Sequence, residues 1–588
     1  MSRFNLLSDA WIPIKGQSEL IKVCDIVQAD IIALDAPRAD FNAALMQFLI
    51  GIVQTVFAPQ NPREWRKFFE SPPSESELQE KLDTVKGAFY LDGDGVRFMQ
   101  DASIQEKKNL KPIEEIIFGA PGDSTKSKNG DFFVKQQDVD NLCASCSAIA
   151  VFTTNIFADQ GGAGYFESMR GNGFISNLIS IDEKQTKASL WRNIWLNILT
   201  ADLVFKNKEQ EKFLWMQEVS NNEVKRKQLT DIINKLDKKI IKYSGLIDEA
   251  KDKKELKELK EKKKEVQQQK KNTQRVRKDI TGIYPENANS LLVYWAWGRR
   301  LYLQTDPCDE LCSLCGKHKV FTKSVYKASK GYNYPKIIWK HPFSAYRKAE
   351  SGEYEGSFLA FEMTSKGLPY IYWSDFFKTT EKQFPAQVVT QYFKNQQLKK
   401  EQLILWSFGF VMDSNSPKGW YESKTPLYFI DNENNRKVIE AEIQRYIEAS
   451  NKISDSYSGY LTNAVKNAWF DENENKNKDQ KKAFINNKSV EVGKYFWSQT
   501  HDKFYDLVNQ LYSLSDPLNE DNRIKLRITW HTHILIISEH VFNQWAFKAS
   551  IKTNPRRIAL AHKQLMQNLH SKSLKQDTLG IPKEKRND

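Results

Sequence analysis

Four of the six cysteines fall into two equal spacings, Cys143-Ala-Ser-Cys146 and Cys312-Ser-Leu-Cys315. Two residues between cysteines let both thiolates point at one tetrahedral ion, and Gly316, directly after the second pair, permits the tight turn of a metal knuckle. The pairs lie 165 residues apart, far beyond ordinary ribbon spacing, so each is half a site and their union is an inference. Joined, four thiolates would close the coordination sphere of one structural Zn2+ with no position left for a substrate. Two other readings stay open: a buried reduced dithiol at each pair, or a redox motif, although no βαβ context surrounds either. Cys24 and Cys308 stand outside the pattern, with Cys308 close enough in sequence to compete as a ligand.

Catalytic chemistry finds little support. Nucleophile elbows, Walker loops, HExxH and metal-carboxylate or kinase signatures are missing from the sequence. Gly161-Gly162-Ala163-Gly164 follows an apolar run but lacks the Gly-Lys-Ser/Thr ending of a phosphate loop. His531 and His533, two apart in a helical pattern, point to different faces and cannot chelate together. His341-Pro342 marks a turn. The chain is therefore expected not to be an enzyme.

The elements that must position the cysteines divide by composition into four regions. Residues 1–217 alternate short β-like and amphipathic helical runs around two glycine-rich turns, Gly119 to Gly130 and Gly161 to Gly173. Residues 218–280, almost free of Gly and Pro, carry Ile233, Leu236, Ile240 and Tyr243, then Leu256, Leu259 and Val266, at helical steps; a break near Ser244-Gly245 would make them a charged antiparallel hairpin. A solvated coiled-coil insertion and a docking arm both fit that pattern. The next region, to about 428, returns to aromatic-rich mixed structure, with Tyr294 to Trp297 and Tyr370 to Trp373 as strands or helix edges.

Beyond 432, helical patterns run Val438–Ile453, Val492–Leu514, Ile524–Ser550 and Pro555–His570, which favours a bundle. The fold class expected is α+β: a large N-terminal mixed α/β domain (1–428, with 218–280 as a helical-hairpin insertion) followed by a C-terminal four-helix bundle (432–573). Residues 574–588, polar and charged, are expected as a disordered tail.

The formal charge is +13. Residues 221–280 hold 20 Lys and Arg against 11 Asp and Glu, an excess of nine, so the rest of the chain is only mildly basic. Nucleic-acid binding must then rest on local patches rather than on the overall field. No apolar leader opens the chain, and Phe41 to Pro59 is interrupted by Asn42, Gln47, Gln54 and Thr55, as a buried helix would be and a membrane span would not. A cytoplasmic protein without membrane contact is expected.

Read together, Asn5-Leu6-Leu7-Ser8-Asp9-Ala10-Trp11-Ile12-Pro13, Phe133-Val134-Lys135-Gln136, Leu142-Cys143 to Ala150, the glycine loop, Met169-Arg170-Gly171, Cys312 to Gly316, Lys330, Trp339 to Pro342 and Gly419-Trp420-Tyr421-Glu422 make a pattern. In order and spacing it resembles the CasA family, the large subunit of the type I-E CRISPR surveillance complex Cascade, over nearly the whole chain outside the 218–280 hairpin. The resemblance implies a non-catalytic subunit that reads the protospacer-adjacent motif (PAM) in target double-stranded DNA, starts strand separation and helps recruit the helicase-nuclease. It implies other Cascade subunits and the CRISPR guide RNA as partners, and in some members a zinc on two CxxC pairs.

Carried over by residue, the family's short loop ahead of the first CxxC, which contacts the motif or the guide's 5′ end, falls on Phe133, Val134 and Lys135, with Lys135 where Asn is usual, which exchanges a hydrogen-bonding side chain for a phosphate contact. The glycine loop falls on Gly161, Gly162, Ala163 and Gly164, with Ala163 replacing one Gly, and the lack of side chains at the glycines lets backbone press on a groove edge. The minor-groove lysine falls on Lys330, where a degenerate acceptor pattern permits coarse reading. The strand-separating wedge falls on Asp413, Ser414, Asn415, Ser416, Pro417 and Lys418, with Asn415 in place of the usual tip. A zinc-stapled enzyme acting on nucleic acid is the alternative, and it would need an acid/base or metal-carboxylate cluster; a scaffold working through the hairpin is a third reading.

Overall fold

The computed structural model describes residues 3–120, 139–161, 165–182, 188–207, 209–217, 221–249, 252–278, 282–364, 367–368, 370–395, 403–413, 415–427, 432–470, 488–547 and 554–583. Two hydrophobic cores organise them. The first is built around helix α1 (Ala39–Val56), an 18-residue run free of proline, 78 % of it buried. Its apolar length would suffice to cross a membrane, yet Phe48 at its centre sits edge-on to Trp11, Phe89, Phe98, Phe152 and Trp295, with ring centroids 5.3–6.1 Å apart. The polar residues along Phe41–Pro59 are accommodated inside: Gln54 donates to Leu199 O and accepts from Leu199 N, which satisfies a buried amide.

Around α1 pack α2 (Pro62–Glu70), α3 (Glu75–Asp83), α4 (Ala144–Ile156) and α5 (Leu190–Trp195). Three small sheets complete this part. Strand β1 (Leu110–Pro112) pairs with β4 (Lys319–Ala328), which pairs with β3 (Arg300–Leu311); β2 (Ser176–Ile181) pairs with β8 (Leu403–Asp413), which pairs with β9 (Ser416–Leu427); and β5 (Tyr346–Lys348) lies between β6 (Phe358–Ala360) and β7 (Gln383–Phe384). All the pairings within these sheets are antiparallel.

Two further helices, α6 (Asn221–Glu249) and α7 (Lys253–Lys278), pack on each other. The expected break at Ser244-Gly245 is not there. Ser244 Oγ instead donates to Ile240 O (2.8 Å), and the helix runs on through Gly245 to Glu249. A single exposed glycine costs a helix only about 1 kcal/mol, too little to end one supported by a partner. Of the two aromatic segments expected as strands or helix edges, neither is a strand: Tyr294–Trp297 is irregular chain directly after the 3-10 turn Ser290–Val293, with Tyr294, Trp295 and Trp297 buried, and Tyr370–Tyr372 is a short 3-10 turn with Tyr370 buried.

The second core joins α9 (Glu433–Ser454), α10 (Tyr460–Trp469), α11 (Ser489–Tyr512), α12 (Glu520–Ala546) and α13 (Pro555–Leu569), with α8 (Gln387–Asn395) preceding them in the chain. Asn432, Asn519 and Asn554 cap α9, α12 and α13 by accepting backbone N–H bonds. The bundle is the one read from the four long periodic stretches, with α10 as an added short helix. Tyr370 reaches into it from the N-terminal part, its ring 4.0 Å from Phe504 and its hydroxyl bonded to Ser450 (2.9 Å) and near Thr500 (3.0 Å).

One expectation is overturned at the C-terminus. Residues 574–583 are not a disordered tail: a π-helical turn, Ser573–Thr578, buries Leu574, Leu579 and Ile581 in the second core. Arg527 donates to Gly580 O (3.0 Å) and Arg445 to Thr578 O (3.2 Å). Three apolar anchors among polar neighbours are enough to order a segment when cationic donors wait for its carbonyls.

Candidate metal centre and nucleic-acid interface

The two CxxC pairs meet. Cys143 caps α4 and its Sγ accepts from the Cys146 N–H (3.4 Å). Cys312 and Cys315 occupy the turn between β3 and β4, where Gly316 takes a φ of +65° and donates to Cys312 O (2.8 Å). Backbone and side-chain bonds hold the halves in register. Ser313 N donates to Asn141 Oδ1 (2.8 Å), Ser313 Oγ donates to Asn141 O (2.7 Å), and Leu142 N donates to Thr322 O (2.9 Å).

All four sulfurs lie within 4.8 Å of one another, and Cys143 Sγ is 3.8 Å from Cys315 Sγ. Sulfurs on a tetrahedral ion with bonds of about 2.3 Å stand about 3.8 Å apart, so the donor set fits such an ion. The thiols are not joined as disulfides. Hydrogen bonds from Cys143 and Cys146 pull the Cys312 thiol down to about 6, and bonds from Cys143, Cys146 and Cys312 carry Cys315 below the ordinary thiol range. Cys146 is pushed the other way by the same neighbours, since four crowded thiols cannot all ionise without a cation among them. Among the described residues this is the one such cluster of ligating side chains, and Cys308, half-buried on β3, is outside it.

The same elements carry the candidate DNA-contacting residues at their opposite ends. Helix α4 leads from Cys143 to Ile156 and then to Gly161; β3 begins just after Arg299, and β4 ends just before Lys330. Arg299, buried, donates to Phe166 O (2.7 Å) and to both the backbone and the carboxylate of Asp159, which fastens the two stems of the glycine loop to each other. Burial lowers its guanidinium and the Asp159 carboxylate opposes that. Between the stems, Gly161 N donates to Tyr165 O (3.2 Å).

Lys330 is exposed and left-handed, with φ +65°. That conformation is uncommon outside glycine. Its cause is the next residue: a Cβ on Gly331 would collide with Gly298 O, so the chain after β4 is pressed against the backbone of the residue preceding Arg299.

The β8–β9 hairpin reaches the same place. Asp413 pairs with Ser416, and Ser416 to Lys418 already belong to β9, so most of the expected six-residue wedge is paired strand rather than loop. Asn415, at the tip, accepts from Asn172 Nδ2 (3.3 Å), and Asn172 Oδ1 accepts from Gln160 N (3.0 Å) beside Gly161. Trp420 packs edge-on to Phe157 (5.6 Å) at the end of α4. Arg170 roots this segment by donating to Gln47 Oε1 (3.0 Å) and Ser176 Oγ (2.8 Å). Asp413, Asn415, Ser416 and Lys418 lie at the exposed end of the hairpin, Asn415 at its tip.

The structure therefore ties Gly161, the Lys330 turn and the Asn415 tip to one cluster. Phe133, Val134, Lys135, Gly162, Ala163, Gly164 and Ser414 lie outside the described residues. Arg299, Asn172 and Asn141 escape a reading of the sequence alone. Only Arg299, in Trp297-Gly298-Arg299-Arg300, offers a signal there, a cation directly after a buried aromatic run.

In class the molecule is an α+β protein with a helical bundle and a four-cysteine staple, and its whole fold recurs among CasA structures. A Thermus thermophilus CasA superposes with a TM-score of 0.66 at 12 % identity, over 97 % of this chain and 99 % of that one. Thermobifida fusca Cse1 gives 0.66 at 13 %, over 99 % of both. A chain of a CRISPR RNA-guided surveillance complex gives 0.63 at 12 %, over 97 % and 100 %. Residues 5–535 match the family model of CRISPR-associated protein Cse1. The chain belongs to that family, the family of the type I-E Cascade large subunit.

Proposed function

We propose that this chain, as a non-catalytic subunit of Cascade in the cytoplasm, reads the PAM in target double-stranded DNA, begins strand separation beside it and helps recruit the helicase-nuclease. Its other partners are the remaining Cascade subunits and the guide RNA. The observation that carries the reading is the convergence of Gly161, Lys330 and Asn415 on one cluster through Arg299, Gly298 and Asn172. Lys330 contacts the minor groove, the glycine loop lays backbone along a groove edge, and the Asn415 tip wedges the first base pair. Phe133 to Lys135 complete the contact, residues 1–428 form the PAM-reading domain, and the 432–573 bundle touches the target or displaced strand. The cysteine cluster holds one zinc through Cys143, Cys146, Cys312 and Cys315; bound there, the ion cross-links α4 to the β3–β4 turn and has no catalytic part.

The test is Lys330→Ala in the assembled complex. Binding to a motif-bearing duplex weakens about tenfold, as expected for the loss of a charged hydrogen bond of about 1.5 kcal/mol, while a target already opened beside the motif binds as before. Equal losses on both substrates would overturn the assignment.

A further inference from the structure

We propose that helix α6 carries a phosphate-binding face, by which the α6–α7 arm grips the unopened duplex flanking the motif. The proposal rests on the reading of Lys330 above. Lys235, Lys238, Lys239 and Lys242 recur at steps of three and four on α6, and all four are exposed. One helical face therefore presents four positive charges within about 10 Å.

Exposed Asp231, one turn before Lys235, and exposed Glu249, two turns after Lys242, bound the stripe at its two ends, and the acidic residue within it does not neutralise it. Between Ile232 and Ile247 the single carboxylate is Asp237, and it turns toward α7, where Lys270 Nζ approaches to 2.5 Å. The inward side of α6 is occupied by Ile233 and Leu236, both buried, so the lysine face is directed away from the partner helix. Helix α7 differs: its exposed Lys257, Lys260 and Lys264 alternate with exposed Glu258, Glu261 and Glu265. A mixed surface is the ordinary solvated face of a coiled coil, and a single-sign stripe is what a polyanion recognises.

The root of the arm lies beside the proposed reading site. After α7, Gly282 pairs with Asn333 and Ile283 N donates to Asn333 O (2.8 Å), three residues beyond Lys330. Before α6, Trp215 stands 6.5 Å from Trp297, whose ring lies 5.7 Å from Tyr332. A duplex seated at Lys330 thus passes the foot of the arm. The lysines begin about 20 Å and end about 30 Å along α6, which corresponds to about 6–9 base pairs of duplex. The charge complement of such a stripe is a regularly spaced phosphate backbone, and one commitment follows: the occupant is double-stranded DNA on the unopened side of the motif, read without sequence preference.

The experiment compares assembled wild-type complex with the complex carrying Lys235→Gln, Lys238→Gln, Lys239→Gln and Lys242→Gln together, all surface changes that keep good helix formers. Each is titrated with motif-bearing duplexes whose unopened flank is about 4 or about 20 base pairs long. On the long flank the quadruple variant binds at least tenfold more weakly, and the slope of log affinity against log salt becomes shallower by about 3. On the short flank the two complexes bind alike. Equal affinity and slope on the long flank would overturn the proposal, as would an equal loss on both flanks or loss of complex assembly, which would assign the face to a protein. Lys330→Ala separates the two readings: if the motif reading fails, that variant keeps its affinity on the short flank, whatever the arm does.

Discussion

At the cysteine end, α4 meets the β3–β4 turn through four sulfurs within 4.8 Å and a lattice of backbone bonds around Asn141 and Ser313. About 20 Å further along the same helix, the same elements meet again at Arg299, whose backbone N–H donates to Asn155 on the helix and whose guanidinium holds Phe166 and Asp159, and at a tight backbone contact of Gly331. The first end is mostly buried and closed. The second presents exposed Gly161, Lys330 and Asn415. The difference teaches that a closed junction need not sit at a surface to shape it: fixing one end of a helix and of a hairpin leaves their other ends only a few degrees of freedom, and Arg299, the Gly331 contact and the Asn172–Asn415 bond are then enough to set the geometry of three turns.

Breaking the cysteine end has the largest effect. Cys146→Ser leaves three thiolates around the site, so purified protein loses its metal, from one zinc per chain to a small fraction by elemental analysis, and stability falls by about 5 kcal/mol in denaturant titration. Retention of wild-type stability by a metal-free variant would mean that the hydrogen bonds alone hold the two halves together. Changing the other end has a smaller and more local effect. Arg299→Ala removes the donors to Asp159 and Phe166, which costs about 3 kcal/mol and weakens binding to a motif-bearing duplex, with zinc content unchanged. Arg299→Lys, which keeps the charge without the planar fork, recovers only part of that binding. A variant that lost zinc and DNA binding together would erase the distinction between the two ends.

Much of this is legible in the amino-acid sequence. The CxxC spacing marks both halves of the four-cysteine cluster, and helical periodicity locates four bundle helices because long amphipathic runs leave a strong signal. The convergence of the halves is not legible, since it depends on Leu142 bridging to Thr322 across the chain. The tail reads as disordered because three buried residues, Leu574, Leu579 and Ile581, cannot outweigh their polar neighbours in any composition average, although each is well placed for the bundle core. Gly245 reads as a break when its cost is weighed without the partner helix that offsets it. Arg299 and Asn172 act through bonds to residues distant in sequence, Phe166 and Asn415; a cation directly after a buried aromatic run hints at the first, and nothing local distinguishes the second from a surface side chain.

Amide hydrogen exchange on the assembled complex, with and without a motif-bearing duplex, tests the central claim most directly. Protection on binding is predicted at residues 157–166, 329–333 and 412–418, while residues 141–147 and 311–317 exchange slowly and unchanged in both states. Protection confined to the cysteine end, or none at the Lys330 turn, would contradict the account.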